Sequence, residues 1–274
     1  MNVRKGKRSL IQRGVAVVRQ VPVPSPGAGE VLVKVCFVAL NPADAAMIQF
    51  RLTPTGSTIG LDYAGEVVQV GAGVDGWEIG DRIAGITPGG VGGQGGAAAE
   101  YAALDAALAW HVPDSMDLAS ATTFGICGAT AALALFYHLQ VPVPPAHVPD
   151  SPWFFVAGGS SSVGFFLIQW AKRAGFKVVA TASEHNFGIV KEYGADIVLS
   201  YHDAPAAVAA IRGLQPPPAV GADMIGGSCG DLAAEVLAGG RYLSINWQCH
   251  KDAELVRLGA AFLPVRAHWS RSSG

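Results

Sequence analysis

The sequence predicts an α/β protein in two unlike halves, a β-rich first half and a second half built on a doubly wound parallel sheet. Three observations carry this. Short apolar runs broken by Gly and Pro fill residues 31–112, strand and helix patterns alternate from Trp153 onward, and a glycine-serine turn separates the first strand of that alternation from its first helix. With 274 residues, 50% hydrophobic and 15% charged, the chain can bury a large core and is too apolar for a disordered protein.

No acidic residue precedes Glu30, whereas Arg4, Lys5, Lys7, Arg8, Arg13 and Arg19 do. That is the charge bias of a mitochondrial transit peptide. Val15 to Val18 followed by Val21-Pro22-Val23-Pro24 nevertheless reads better as a strand entering an extended turn. Strands are then predicted at Val31 to Val35, Gly65 to Val70 and Asp81 to Ala84, the spacing of a small barrel or sandwich. Gly85 to Gly96 holds seven glycines in twelve positions and is expected to be a mobile surface loop.

Ala119 to Tyr137 is 19 residues without a charge. Thr122, Thr123, Gly125, Gly128 and Thr130 dilute its hydrophobicity, so a buried helix is predicted and not a membrane span. Five prolines between Val141 and Pro152 make a surface connector. The parallel sheet is then read from Trp153 to Ala157, Lys177 to Thr181, Ile197 to Leu199, Ala222 to Ile225 and Tyr242 to Ile245, with a helix carrying Val163, Phe166, Leu167, Trp170 and Ala174 on one face.

The net charge of −2 offers no electrostatic reason to expect nucleic acid, and a cytoplasmic enzyme without membrane association is expected. Four cysteines without a CxxC are expected to be buried free thiols. The seven histidines are scattered without ligand spacing, and no metal is predicted.

The chemistry concentrates at Gly158 to Gly164. Between a strand and a helix, glycines let the backbone approach a pyrophosphate while the helix N-terminus faces its charge. Aligned to GxGxxG, the three positions are Gly159, Ser161 and Gly164, so the middle glycine is replaced. About 20 residues on, an acidic residue would bind the adenosine ribose of NAD. Here Ser183, His185 and Asn186 can donate to a 2′-phosphate and Glu184 would repel it, so the residues leave NADP and NAD open.

Asn41-Pro42-Ala43-Asp44, Gly60-Leu61-Asp62-Tyr63-Ala64-Gly65-Glu66-Val67-Val68, Gly80-Asp81-Arg82, Ala157 to Gly164 and Gly194-Ala195-Asp196 together resemble the medium-chain dehydrogenase/reductase superfamily, in order and over most of the chain. The resemblance implies a GroES-like first domain (residues 1–118), a linking helix and connector (119–152) and a Rossmann domain (153–262), with an irregular tail at 263–274. Zinc-dependent members carry Cys or His where this chain has Asn41 and Leu61, so a zinc-free enzyme is implied.

Leu135 to Gln140, His185-Asn186-Phe187, Lys191 to Asp196 and Ser200 to Asp203 look more narrowly like the trans-acting enoyl reductases of fungal polyketide synthases. That likeness implies NADPH as cofactor and a polyketide synthase or its acyl carrier domain as partner. By position it implies cofactor contacts at Gly159, Ser160, Ser161, Ser162, Val163 and Gly164, and around the adenosine at Ser183, Glu184, His185, Asn186 and Tyr201. Further cofactor contacts are implied at Ala43, Asp44, Ala45, Ala46, Ser244 and Ile245. Gly125, Cys127, Gly128 and Thr130 would lie beside the substrate, and Asn41, Asp44 and Thr130 are the catalytic candidates. Thr130 could equally bond back within its helix, and Asn41 and Asp44 could be turn residues.

Two departures stand out. The family usually has a lysine where this chain has Ala46, and related enzymes continue further, so the last strand of the nucleotide sheet is expected to be missing. A quinone oxidoreductase and a non-catalytic nucleotide-binding remnant stay open as alternatives.

Overall fold

A computed structural model describes residues 5–12, 15–91, 95–245 and 256–257. The chain divides between Ile126 and Cys127 into two compact units.

In the first unit the basic N-terminal segment forms a hairpin, β1 (Lys5–Gln12) with β2 (Val15–Pro22). Five further strands make an antiparallel sheet: β3 (Glu30–Phe37), β4 (Asp62–Val70), β5 (Arg82–Ile86), β6 (Tyr101–Asp105) and β7 (Ala109–His111), ordered β6-β3-β4-β5-β7. Alternate residues Val31, Val33, Tyr63, Val67, Ile83 and Leu104 point inward and form its core. A short helix, α1 (Pro42–Gln49), starts at the proline, whose missing N–H costs nothing at a first helical position.

Two expectations fail here. The glycine-rich run is no surface loop over its described part: Gly85 and Ile86 belong to β5, and Gly89 and Gly90 are buried. A Cβ on Gly90 would lie 2.4 Å from the Thr58 carbonyl oxygen, and one on Gly96 2.4 Å from the Ile59 carbonyl oxygen. These glycines serve close backbone approach, which composition alone does not distinguish from freedom. The helix expected over Ala119 to Tyr137 is broken into α2 (Leu118–Thr122), α3 (Gly125–Ala132) and a π-helical stretch, Leu133–His138. Thr122 and Thr123 donate their hydroxyls to the Leu118 and Ser120 carbonyls, which competes with helix continuation. Phe124, Leu133 and Tyr137 are exposed, so the segment is only partly buried. No helix among the described residues is long and apolar enough to cross a membrane.

The second unit is a six-stranded parallel sheet of β8 (Trp153–Ala157), β9 (Lys177–Ala182), β10 (Ile197–Ser200), β11 (Val220–Asp223), β12 (Arg241–Ser244) and β13 (Val256–Arg257). The order is β10-β9-β8-β11-β12-β13, the doubly wound arrangement the rhythm predicts. The sixth strand contradicts one expectation. It is two residues long, and it pairs Val256 with Leu243 and Arg257 with Ser244. The loosely patterned stretch around it hid so short an edge strand. The tail expected at 263–274 lies outside the described residues.

Consecutive residues of β8 feed opposite cores: Phe154 and Val156 pack with Leu167, Ile168 and Val178, whereas Phe155 and Ala157 pack with Val179, Ile211 and Leu232. A strand covered on both faces must be apolar throughout, which is why it reads as an unbroken run. The covering helices are α4 (Ser162–Arg173), α5 (Phe187–Glu192), α6 (Ala204–Arg212) and α7 (Ser228–Val236). Of the cysteines, Cys229 is buried as expected, Cys127 is half-buried and Cys36, near the end of β3, is exposed; Cys249 lies outside the described residues.

Candidate functional site

The chain leaves β8 toward β9 on one side and β11 lies on the other, so the topological switch point falls between the C-terminal ends of β8 and β11. Two turns meet there. The first is Gly158 to Gly164. Gly158 has φ +80°. A Cβ on Gly159 would lie 2.9 Å from Ala180 Cβ, and one on Gly164 would lie 2.3 Å from the Gly158 carbonyl oxygen. Ser161, in the middle-glycine position, caps α4: its Oγ accepts from the Gly164 N–H at 3.0 Å and donates to the Gly158 carbonyl at 2.8 Å. A serine there closes the turn, worth about 1 kcal/mol as a cap. Its hydroxyl is engaged within the turn; Ser160 stands just before this cap, and Ser162 and Val163 open the first helical turn.

The second turn follows β11 and was not singled out in the sequence. Asp223 is fully buried, and its carboxylate accepts from the N–H groups of Ile225 (2.9 Å) and Gly226 (2.9 Å), from Ser244 Oγ (3.0 Å) and from Tyr242 Oη (3.3 Å). The turn so held places Ile225 against the glycine turn: a Cβ on Gly158 would lie 2.3 Å from Ile225 Cγ1. An aspartate followed by Gly226-Gly227 at a strand end was the available signal. Ser244, expected to touch cofactor, is 1% exposed and bonded to Asp223, while the Ile245 N–H donates to the Asp223 carbonyl.

Ser183 Oγ and Tyr201 Oη are 2.7 Å apart across the ends of β9 and β10. Glu184, His185 and Asn186 form a 3₁₀ turn after Ser183, with Glu184 and His185 exposed. In α3, Gly128 contacts the Phe166 ring at 3.7 Å from its would-be Cβ, and Thr130 is buried with no hydrogen bond to its hydroxyl among the described residues.

The first unit gathers a polar cluster around two buried carboxylates. Asp44 Oδ2 accepts from the Asn41 N–H (2.8 Å) and Oδ1 from the Leu61 N–H (3.1 Å). Asp62 Oδ2 accepts from Asn41 Nδ2 (2.8 Å) and Oδ1 from the Ile126 N–H (2.7 Å). Burial pushes the Asp62 carboxyl up to about 6, helped by the Asp44 charge and opposed by the Asn41 and Ile126 hydrogen bonds. Burial raises Asp44 as well, against the hydrogen bonds from the Asn41 and Leu61 N–H groups. Gly125 is required beside them, because a Cβ there would sit 2.2 Å from Asp62 Oδ1. Asp62 was overlooked in the sequence, where it reads as one residue in a strand-start motif. Ala43 and Ala46 are half-buried and Ala45 is exposed on α1.

Two family models match the chain, an alcohol dehydrogenase GroES-like domain over residues 27–114 and a zinc-binding dehydrogenase over residues 162–261. The chain belongs to the medium-chain dehydrogenase/reductase superfamily. It is 38% identical over 197 residues to a zinc-type alcohol dehydrogenase-like protein of Schizosaccharomyces pombe, covering 70% of this chain and 57% of that protein. It is 36% identical over 211 residues to a trans-enoyl reductase of Alternaria alternata, covering 75% of this chain and 61% of the relative. The chain thus spans about three-fifths of the length of these curated relatives. Among solved structures, an alcohol dehydrogenase superfamily protein from Novosphingobium aromaticivorans superposes with a TM-score of 0.80 at 29% identity, over 90% of this chain and 74% of that one.

Membership implies a nicotinamide cofactor, and the cradle at Gly158 to Val163 fits one: a Cβ on Gly164 would strike the Gly158 carbonyl oxygen, one on Gly159 would crowd Ala180, and α4 presents its N-terminus. Zinc is the other group the family descriptions raise. It does not fit these residues. Asn41 Nδ2 is a donor pointed at Asp62, Leu61 carries no ligand atom, and among the described residues no three His, Cys, Asp or Glu side chains are grouped to hold a metal.

Proposed function

We propose that this chain is a zinc-free, NADPH-dependent enoyl reductase acting on an α,β-unsaturated thioester presented by the carrier domain of a polyketide synthase. The observation that carries the proposal is the glycine-serine cradle at the switch point, flanked by the Ser183–Tyr201 hydroxyl pair where the adenosine ribose of a bound dinucleotide belongs. Similarity to fungal trans-enoyl reductases supports the substrate class.

Ser160, Ser162 and Val163 would hold the pyrophosphate at the start of α4, and Ser183 and Tyr201, with His185 and Asn186, the 2′-phosphate. When bound, the cofactor supplies a hydride to the β-carbon of the enoyl group. Asp223 acts indirectly by fixing the turn that seats Ile225 against Gly158. Both Asp44 oxygens are engaged by backbone N–H groups, so Asp44 serves to shape its loop. Thr130, whose hydroxyl is unengaged among the described residues, is the candidate to orient substrate.

The test is turnover of crotonyl-pantetheine with NADPH, followed by loss of reduced-nicotinamide absorbance, beside NADH and a small quinone. Faster reduction of the thioester with NADPH supports the proposal, and faster quinone reduction refutes it. Ala46 in place of the family lysine favours a second reading, a nucleotide-binding protein without turnover. Its signature is calorimetric NADPH binding with no hydride transfer to any acceptor.

A further inference from the structure

The basic residues that crowd the N-terminus play no part in the dinucleotide cradle, and the hairpin gives them a specific arrangement. Arg8 of β1 stands directly opposite Arg19 of β2, so both side chains leave the same face of the pair. Like charges placed directly opposite destabilise a hairpin. Arg8 is also held from its other side, where it bridges Ala99 while the Ser9 N–H donates to Ala98, so it cannot easily move away.

Arg8 lines a cavity of about 250 Å³ together with Gly56, Ser57, Thr58, Gly95 and Gly96. Among the described residues no hydrogen bond or ion pair engages the Arg8 guanidinium, nor any hydrogen bond the Ser57 or Thr58 hydroxyls, although Ser57 and Thr58 are buried. Among the described residues, a Cβ on Gly95 would meet the Ala103 carbonyl oxygen at 4.0 Å. The Glu100 carboxylate is close on this side of the hairpin, but its Oε2 accepts the Lys7 N–H at 2.7 Å and forms no ion pair with Arg8. Burial lowers the Arg8 guanidinium pKa from its ordinary value, the mark of a cation losing water without gaining a counter-charge.

We infer that this cavity is a binding site for a phosphate group, with Arg8 supplying the charge and Ser57 and Thr58 supplying hydroxyl donors. A cavity of this size is below the roughly 300–1,000 Å³ that encloses a drug-sized ligand, so it takes a phosphate or a phosphorylated end and not a whole dinucleotide. The inference stands apart from the reductase reading, since no residue of the dinucleotide cradle takes part.

The experiment titrates the full chain at constant ionic strength with inorganic phosphate in one arm and 4′-phosphopantetheine in the other. Each arm follows phenylglyoxal modification of Arg8 by peptide mass mapping. Saturable protection of Arg8 is expected, and Arg8→Gln should weaken phosphate binding by at least about tenfold with an unchanged circular dichroism spectrum. Tighter protection by 4′-phosphopantetheine identifies a carrier arm as the source, and equal protection identifies free phosphate. Modification of Arg8 at the same rate with and without both ligands overturns the inference. Should Arg8→Gln fail to fold, the protection measurement on the wild-type chain decides alone.

Discussion

Gly125 and Gly128 lie three residues apart in one helix, and the structure assigns them opposite responses to alanine. A Cβ on Gly125 would lie 2.2 Å from Asp62 Oδ1, 2.8 Å from Asp62 Cγ and 3.0 Å from Ile86 Cγ2. The carboxylate cannot yield without loss, because Oδ1 accepts the Ile126 N–H and Oδ2 the Asn41 amide. Losing one or both of these charge-assisted hydrogen bonds costs about 1.5–3 kcal/mol each, and the crowding at Ile86 adds about 1 kcal/mol or more. Gly125→Ala is therefore expected to destabilise by about 3–5 kcal/mol, a large share of the roughly 5–15 kcal/mol that holds a domain folded. Among the described residues, a Cβ on Gly128 would meet nothing nearer than the Phe166 ring at 3.7 Å, so Gly128→Ala should stabilise by roughly 0.5–1 kcal/mol through helix propensity. Urea unfolding monitored by far-UV circular dichroism gives both values. Two variants within about 0.5 kcal/mol of each other would show that Asp62 is not held as described.

Asp62 also makes stability depend on pH. Its folded pKa of about 6 lies above the ordinary 3.8, so its contribution is fully present below 3.8 and is lost as pH rises through 6, by about 3 kcal/mol in all. The difference in stability between wild type and Asp62→Asn should change across that window and be flat above it. Tyr63 buries a hydroxyl that has no hydrogen-bond partner among the described residues, so Tyr63→Phe should raise the melting temperature, by an amount corresponding to about 1 kcal/mol. A fall would mean the hydroxyl is satisfied after all. Asp223→Ala removes the carboxylate that accepts from the Ile225 and Gly226 N–H groups and the Ser244 hydroxyl; it should cost about 1–3 kcal/mol and weaken NADPH binding about tenfold by calorimetry. Unchanged affinity would remove Asp223 from the cofactor side.

The second unit was largely legible because its local chemistry and its global role coincide. A strand buried on both faces must be apolar from Trp153 to Ala157, and a backbone turned tightly into a helix must carry glycine at Gly159 and Gly164. Ser161 replaces a glycine without damage because capping α4 needs a short hydroxyl and not a bare backbone. The alternation of strands and helices and the identity of the glycine turn followed from such local requirements.

Long-range contact decided the rest. Nothing local distinguishes Asp62 from any strand-start aspartate until Asn41 and Ile126, 21 and 64 residues away, point donors at it. Gly90 and Gly96 looked like a loose loop because their reason for being glycine, the carbonyls of Thr58 and Ile59, lies elsewhere in the chain. Asp223 joined the candidate site only when β11 was set beside β8. Glycine and aspartate have several structural uses each, and only the neighbour that tertiary folding brings within 3 Å selects among them. By itself the sequence determined the superfamily, the strand rhythm and the glycine-serine turn, since those depend on patterns within one element or its immediate connection. The tertiary structure decided which carboxylates are buried, which glycines are obligatory and where Arg8 meets a cavity, because each depends on atoms that are distant in the chain and adjacent only once it has folded.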